Sequence, residues 1–129
     1  MSMEAELREG LQNREDVRFA VLFGSISRGS GGSDSDLDVA VEVRGADPLQ
    51  LAAELSLALD RDVDIVDLSQ AGYPLLQAIL RDGVLVYEGV PGSYAQWRAR
   101  AIAETETDRP WFERMRDAFL KRQAGTHRG

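Results

Sequence analysis

The stretch Phe23-Gly24-Ser25-Ile26-Ser27-Arg28-Gly29-Ser30-Gly31-Gly32-Ser33-Asp34-Ser35-Asp36-Leu37-Asp38-Val39-Ala40-Val41 decides how this chain is read. A hydrophobic run ends in Gly24-Ser25, a loop of Gly and Ser follows, and a second hydrophobic run opens on carboxylates at alternate positions. From Asp36 to Val43, Leu37, Val39, Val41 and Val43 alternate with Asp36, Asp38, Ala40 and Glu42, the two-residue period of a β-strand. With a rise of ~3.3 Å per residue, Asp36 and Asp38 share one face about 6–7 Å apart. Two carboxylates that close repel each other. A shared cation stabilises their ionised forms, and hard oxygen ligands suit Mg²⁺ or Mn²⁺.

Outward from this stretch the chain alternates helix and strand patterns. Residues 3–16 read as an amphipathic helix, with Met3, Leu7 and Leu11 at four-residue steps. Arg18 to Phe23 is a short apolar run and predicts a buried strand that Gly24 ends. After the turn Arg44-Gly45-Ala46, Asp47-Pro48 supplies an N-cap carboxylate and a proline in the first helical position. Leu51, Leu55, Ala58 and Leu59 give that helix one apolar face. Residues 62–68 predict a third strand carrying Asp62, Asp64 and Asp67. Pro74 opens another helix that Gly83 stops as a C-cap, and Val84 to Tyr87 predict a fourth strand. Beyond Pro91-Gly92 the pattern is helical through Gln123 and broken at Pro110, where Thr107-Asp108-Arg109-Pro110 predicts the cap of a second helix.

The expected fold is therefore α/β: a small mixed sheet of about four strands flanked by helices, followed by a helical C-terminal extension. One domain spans residues 1–129, with its core at about 15–89 and the extension at about 92–123. Trp97, Ile102, Trp111, Phe112, Met115 and Phe119 give the extension more apolar surface than a four-stranded sheet needs for its own cover. The extension is expected to pack on its own sheet; the alternative is that part of it docks a partner.

A net charge of −7 disfavours a grip on long nucleic acid, which calls for an excess of Lys and Arg. A small phosphorylated ligand stays compatible, because a metal can bridge an acidic site to phosphate. There is no cysteine, so disulfides and thiolate zinc sites are excluded. The acidic start Met1-Ser2-Met3-Glu4 leads into no apolar core, and no apolar run is long enough to span a bilayer, so a cytoplasmic protein without membrane contact is expected. His127, in a Gly-Thr-His-Arg-Gly tail, reads as an end residue without a role.

Three chemistries compete for the central stretch. Gly24 to Gly29 has the spacing of a phosphate-binding P-loop, but Ser30-Gly31 stands where Lys followed by Ser or Thr is needed. Asp34, Asp36 and Asp38 imitate the start of a calcium EF-hand loop, yet Val39 and Gly45 occupy the positions of its turn glycine and bidentate glutamate. The third reading fits throughout. Gly24-Ser25-Ile26-Ser27-Arg28-Gly29, through Asp34-Ser35-Asp36-Leu37-Asp38, resembles the Gly-Ser-x-x-Arg-Gly…Asp-Ser-Asp-x-Asp signature of the minimal branch of the nucleotidyltransferase superfamily that includes DNA polymerase β. The resemblance covers roughly residues 15 to 89.

It implies a polymerase β-like fold and a metal-dependent enzyme that transfers AMP from ATP to a hydroxyl, releasing pyrophosphate. Gly24 and Ser25 would cradle the phosphates with backbone N–H groups, with Arg28 beside them on phosphate or on a carboxylate. Asp36 and Asp38 would hold two Mg²⁺ (or Mn²⁺) ions. The family's third carboxylate falls on Asp64, as metal ligand and as acceptor of the attacking group's proton, with Asp62 and Asp67 as the competing positions. Asp34 reads as an Asx-turn residue. The branch's antitoxin members resemble this chain in size. They imply a hetero-oligomeric partner, a helical HEPN-type toxin silenced by adenylylation of a tyrosine. Two further readings stay open: an antitoxin that neutralises its partner by binding alone, and a small-molecule adenylyltransferase of the antibiotic-modifying type.

Overall fold

A computed structural model describes residues 2–24 and 36–126. Its elements run α1 (Met3–Leu11), β1 (Val17–Phe23), β2 (Leu37–Val43), α2 (Pro48–Leu59), β3 (Val63–Asp67), a 3₁₀ turn (Leu68–Gln70), α3 (Tyr73–Asp82), β4 (Val84–Glu88) and α4 (Ser93–Thr126). The helix starts follow local chemistry. Ser2 accepts a hydrogen bond from the Ala5 N–H at 3.2 Å, and Asp47 accepts one from the Leu49 N–H at 3.0 Å, ahead of Pro48. α1 is shorter than its apolar spacing suggested. Gln12 leaves the helix and Asn13 turns into the left-handed region at φ 66°, so the chain reverses before Val17.

Among the described residues the strands form one sheet in the order β3-β2-β1-β4. β1 runs antiparallel to both β2 and β4, whereas β2 and β3 are parallel and joined through α2. A parallel pair needs such a crossover because its strands start at the same edge. Each face of the sheet is buried. Leu37, Val39 and Val41 of β2 point toward Leu7 and Leu11 of α1 and Leu51 and Leu55 of α2. On the other face Phe19, Val21, Phe23 and Ala40 meet Ile79 of α3 and Trp97 and Ala101 of α4. Phe19 packs edge-on against Tyr94 and tilted against Trp97, with ring centroids 5.5 and 5.6 Å away.

Of two expectations about helix ends one is met: Gly83 closes α3, in extended conformation (φ −70°, ψ 142°). Glycine is required there because a Cβ would run into the Ile79 carbonyl oxygen and stand 2.6 Å from Cγ1 of Val21. Pro110 does not break the extension; α4 is one helix of 34 residues with the proline inside it. Contacts on both sides of the proline hold the turn in place. The Thr107 hydroxyl donates to the Ala103 carbonyl at 2.9 Å, Arg109 reaches Glu106 at 2.7 Å, and the Phe112 ring stacks on Tyr73 of α3 at 4.5 Å and 9°. The N-terminal half of α4 buries Ser93, Trp97, Ala101 and Thr105 at four-residue steps, and the rest of the helix runs on past the sheet. No described helix is long and apolar enough to cross a membrane.

Candidate active site

Three chain segments meet at one edge of the sheet: the end of β1, the start of β2 and the start of β3. The Phe23 backbone pairs with Asp38, and on the other side of β2 Asp38 pairs with Asp64 of the parallel strand β3. Adjacent strands lie about 4.8 Å apart, so these two carboxylates leave the backbone as neighbours. Parallel pairing in register also puts them on the same face, the one covered by α3 and α4, where Ala40 and Val66 follow two residues on.

Gly24 shapes the corner. It follows β1 with φ 84°, a conformation open to glycine, and a Cβ built on it would fall 2.5 Å from Oδ2 of Asp38. The backbone of Gly24 therefore lies against the Asp38 carboxylate. Ser25 and Arg28, the other two residues assigned to phosphate in the sequence, lie outside the described residues, as does Asp34.

Asp38 is half-buried, whereas Asp36 and Asp64 are exposed. Burial pushes the Asp38 carboxyl above its ordinary value, and the negative charges of Asp64 and then Asp36 push it further the same way. Asp38 is thus the centre of a local negative field with a carboxylate on each side. Asp36 stands just before β2, at the edge of the Asp38–Asp64 pair. Among the described residues no three acidic or histidine side chains close into a ready metal cage. The donor set is nevertheless all hard oxygen and carries excess negative charge. That chemistry suits a divalent cation whose remaining ligands come from phosphate oxygens and water.

Of the competing aspartates, Asp67 lies farther along β3, whereas Asp62 stays beside the site, two residues before Asp64 and bonded to the β2 backbone next to Asp36. Asp67 ends β3 and spends its Oδ1 on the Ser69 N–H at 2.9 Å and the Ser69 hydroxyl at 2.8 Å, capping the 3₁₀ turn. Asp62 precedes β3, and its carbonyl accepts the Leu37 N–H at 3.0 Å, the bond that starts the β2–β3 pairing.

Sequence reasoning missed the ion pairs farther along β2. Glu42 accepts from Arg18 Nε at 2.8 Å and lies 3.6 Å from Arg100 of α4. Arg100 and Glu42 border a cavity of about 340 Å³, with Trp97 and Leu68 among its walls. Four residues separate Glu42 from Asp38, roughly 13 Å along the strand, so this cavity stands apart from the carboxylates. The Arg18–Glu42 pair depends on the β1–β2 register and the Arg100–Glu42 pair on which helix crosses the strand, and no local sequence signal reports either.

A glycine corner beside grouped carboxylates is compatible with an enzyme that handles phosphates through a divalent cation. The chain belongs to the polymerase beta nucleotidyltransferase family, whose family model matches residues 5–90. Within that family it is similar to protein adenylyltransferase MntA of Shewanella oneidensis, with 40% identity over 77 residues that make up 55% of this chain and 54% of that protein. The match thus spans about half the length of that relative. Among solved structures, the chain is similar to one in a toxin–antitoxin crystal structure with AMP-PNP, at TM-score 0.75 and 27% identity over 95% of this chain and 99% of that one. It is also similar to a chain in the complex of a tri-AMPylated Shewanella oneidensis HEPN toxin with its MNT antitoxin, at TM-score 0.71 and 26% identity over 91% and 95% of the two chains.

Proposed function

We propose that this chain is a protein adenylyltransferase of the cytoplasm, which moves AMP from ATP onto a tyrosine hydroxyl of a HEPN-type toxin and so acts as that toxin's antitoxin. The observation that carries the reading is the pairing of Asp38 with Asp64 beside Gly24, in a chain whose fold follows a nucleotide-bound toxin–antitoxin structure over 95% of its length. The α4 extension belongs to the same single domain in this reading.

Asp36, Asp38 and Asp64 would hold the divalent cation, Mg²⁺ or Mn²⁺. When bound, it neutralises charge on the triphosphate and lowers the pKa of a coordinated hydroxyl. Gly24, with Ser25 and Arg28 after it, orients the β- and γ-phosphates from the end of β1. The exposed Asp64 carboxylate takes the proton of the acceptor hydroxyl as its oxygen attacks the α-phosphorus. The new P–O bond forms on the acceptor, the bond from the α-phosphorus to the bridging oxygen breaks, and pyrophosphate leaves with that electron pair.

The test incubates the purified chain with ATP, Mg²⁺ and its toxin partner and reads intact mass. Gain of whole AMP units on a toxin tyrosine, abolished by Asp38→Asn, is the expected result. If Asp36→Asn and Asp38→Asn both neutralise the toxin as well as the native chain does, contact alone suffices and the transferase reading fails. Adenylylation of an aminoglycoside with no protein present would overturn the choice of acceptor.

A further inference from the structure

The distal half of α4 carries a surface that the reaction above does not use. Trp111, Met115 and Phe119, four residues apart, are 52%, 47% and 54% exposed. Each residue of an α-helix advances by about 100°, so the three form a stripe about 80° wide and two turns long. Its borders are basic. Arg114 and Arg116 leave the helix about 100° to either side of Met115, Arg116 with its Nε 3.8 Å from an Asp117 oxygen, and Lys121 extends the border on the Arg114 side. Glu113 and Asp117 fall about 160° from Met115, on the back of the helix. The charge of this segment opposes that of the rest of the chain. Residues 109–129 hold six Lys and Arg against two Asp and Glu, whereas residues 1–108 hold nine against twenty.

We propose that this stripe is a docking surface for an acidic amphipathic helix of a partner protein, one that sets apolar side chains on Trp111, Met115 and Phe119 and carboxylates beside Arg114, Arg116 and Lys121. Large aromatic residues and methionine in a basic frame supply the anchors such a helix needs. Two copies of this chain meeting stripe to stripe would set those cations against one another, which argues against self-pairing. An anionic membrane would attract the stripe but repel the strongly acidic body that carries it. The surface gives the protein partner of the proposed function its place of contact. Its test contains no nucleotide, so docking and AMP transfer fail separately.

The full chain is titrated against a fluorescent synthetic helix with leucines on one face bordered by glutamates, and against a twin with lysines in place of the glutamates. Fluorescence anisotropy should show the acidic helix binding at least about tenfold tighter than the basic one, with Trp111→Ala removing about tenfold of that affinity. The double variant Arg114→Glu/Lys121→Glu, with its helix content checked by circular dichroism, should exchange the preference toward the basic twin. Equal binding of the two helices, absence of binding, or indifference to Trp111→Ala overturns the proposal. So does a Trp111-dependent dimer in sedimentation, or Trp111-dependent binding to phosphatidylglycerol vesicles stronger than binding to the acidic helix.

Discussion

The Cα of Gly24 lies so close to the Asp38 carboxylate that a methyl group on it would stand 2.5 Å from Oδ2. This contact couples a backbone corner to a carboxylate that burial and two neighbouring aspartates hold above its ordinary pKa. Gly24→Ala adds both that clash and a left-handed strain at φ 84°. The expected stability loss is about 1 kcal/mol from strain alone, read as a shift of the urea midpoint. AMP transfer should fall further than stability does, by about 100-fold, because the carboxylate must move to make room.

Asp38 is held above its ordinary pKa by burial first and by Asp64 and Asp36 next. A carboxylate raised in the folded state binds its proton more tightly there than in the unfolded chain. Its contribution to stability is therefore complete below the unfolded pKa and is lost as pH rises through the folded value. At neutral pH the charged Asp38 opposes folding. Asp38→Asn should raise the melting temperature at pH 7 in EDTA, and the gain should shrink toward zero as pH falls below about 4. The same variant should lose the stabilisation that Mg²⁺ with a non-hydrolysable ATP analogue gives the native chain, and lose at least about 100-fold in transfer rate.

Pro110 sits inside a continuous helix although its ring removes an N–H donor and crowds the preceding turn. Pro110→Ala relieves both costs. Far-UV circular dichroism should show greater helicity, and the melting temperature should rise with a stabilisation of up to about 3 kcal/mol. A fall in helicity would mean that the proline marks a break the chain needs.

The stack of Phe112 on Tyr73 ties the second half of α4 to the start of α3. Removing it with Phe112→Ala should cost about 1–2 kcal/mol. Hydrogen exchange locates that loss: amides of residues 106–126 should exchange faster, while those of β1 and β2 keep their protection. Uniform acceleration across the chain would show that the stack supports the whole domain.

Much of this was readable in the amino-acid order. Strict alternation after Asp36 marked β2 and its two faces, and Asp47-Pro48 marked the start of α2 because capping is decided by neighbours in sequence. The juxtaposition of Asp38 with Asp64 was not available from residue pattern alone. It came from family likeness, because the β2–β3 register is set by packing of Leu37, Val39 and Val41 on α1 and α2, far away in sequence. The close approach of Gly24 to Asp38 depends on the same register. At Pro110 the local rule predicted a break, and it lost to the contact of Phe112 with a ring on another helix. Phosphate contacts assigned to Ser25 and Arg28 fall outside the described residues.

Leu37, Val39 and Val41, the wholly buried residues of β2 on its α1 and α2 face, have a consequence beyond cohesion. Sliding β2 by one position would bring Asp38 into the core under α1 and α2 and turn Leu37, Val39 and Val41 toward α3 and α4, where Ala40 now sits. The acidic pair is thus inherited from hydrophobic patterning, and no separate device has to aim it. Substitutions that loosen this strand should abolish chemistry abruptly, in step with unfolding, with no broad range of folded but misaligned molecules in between.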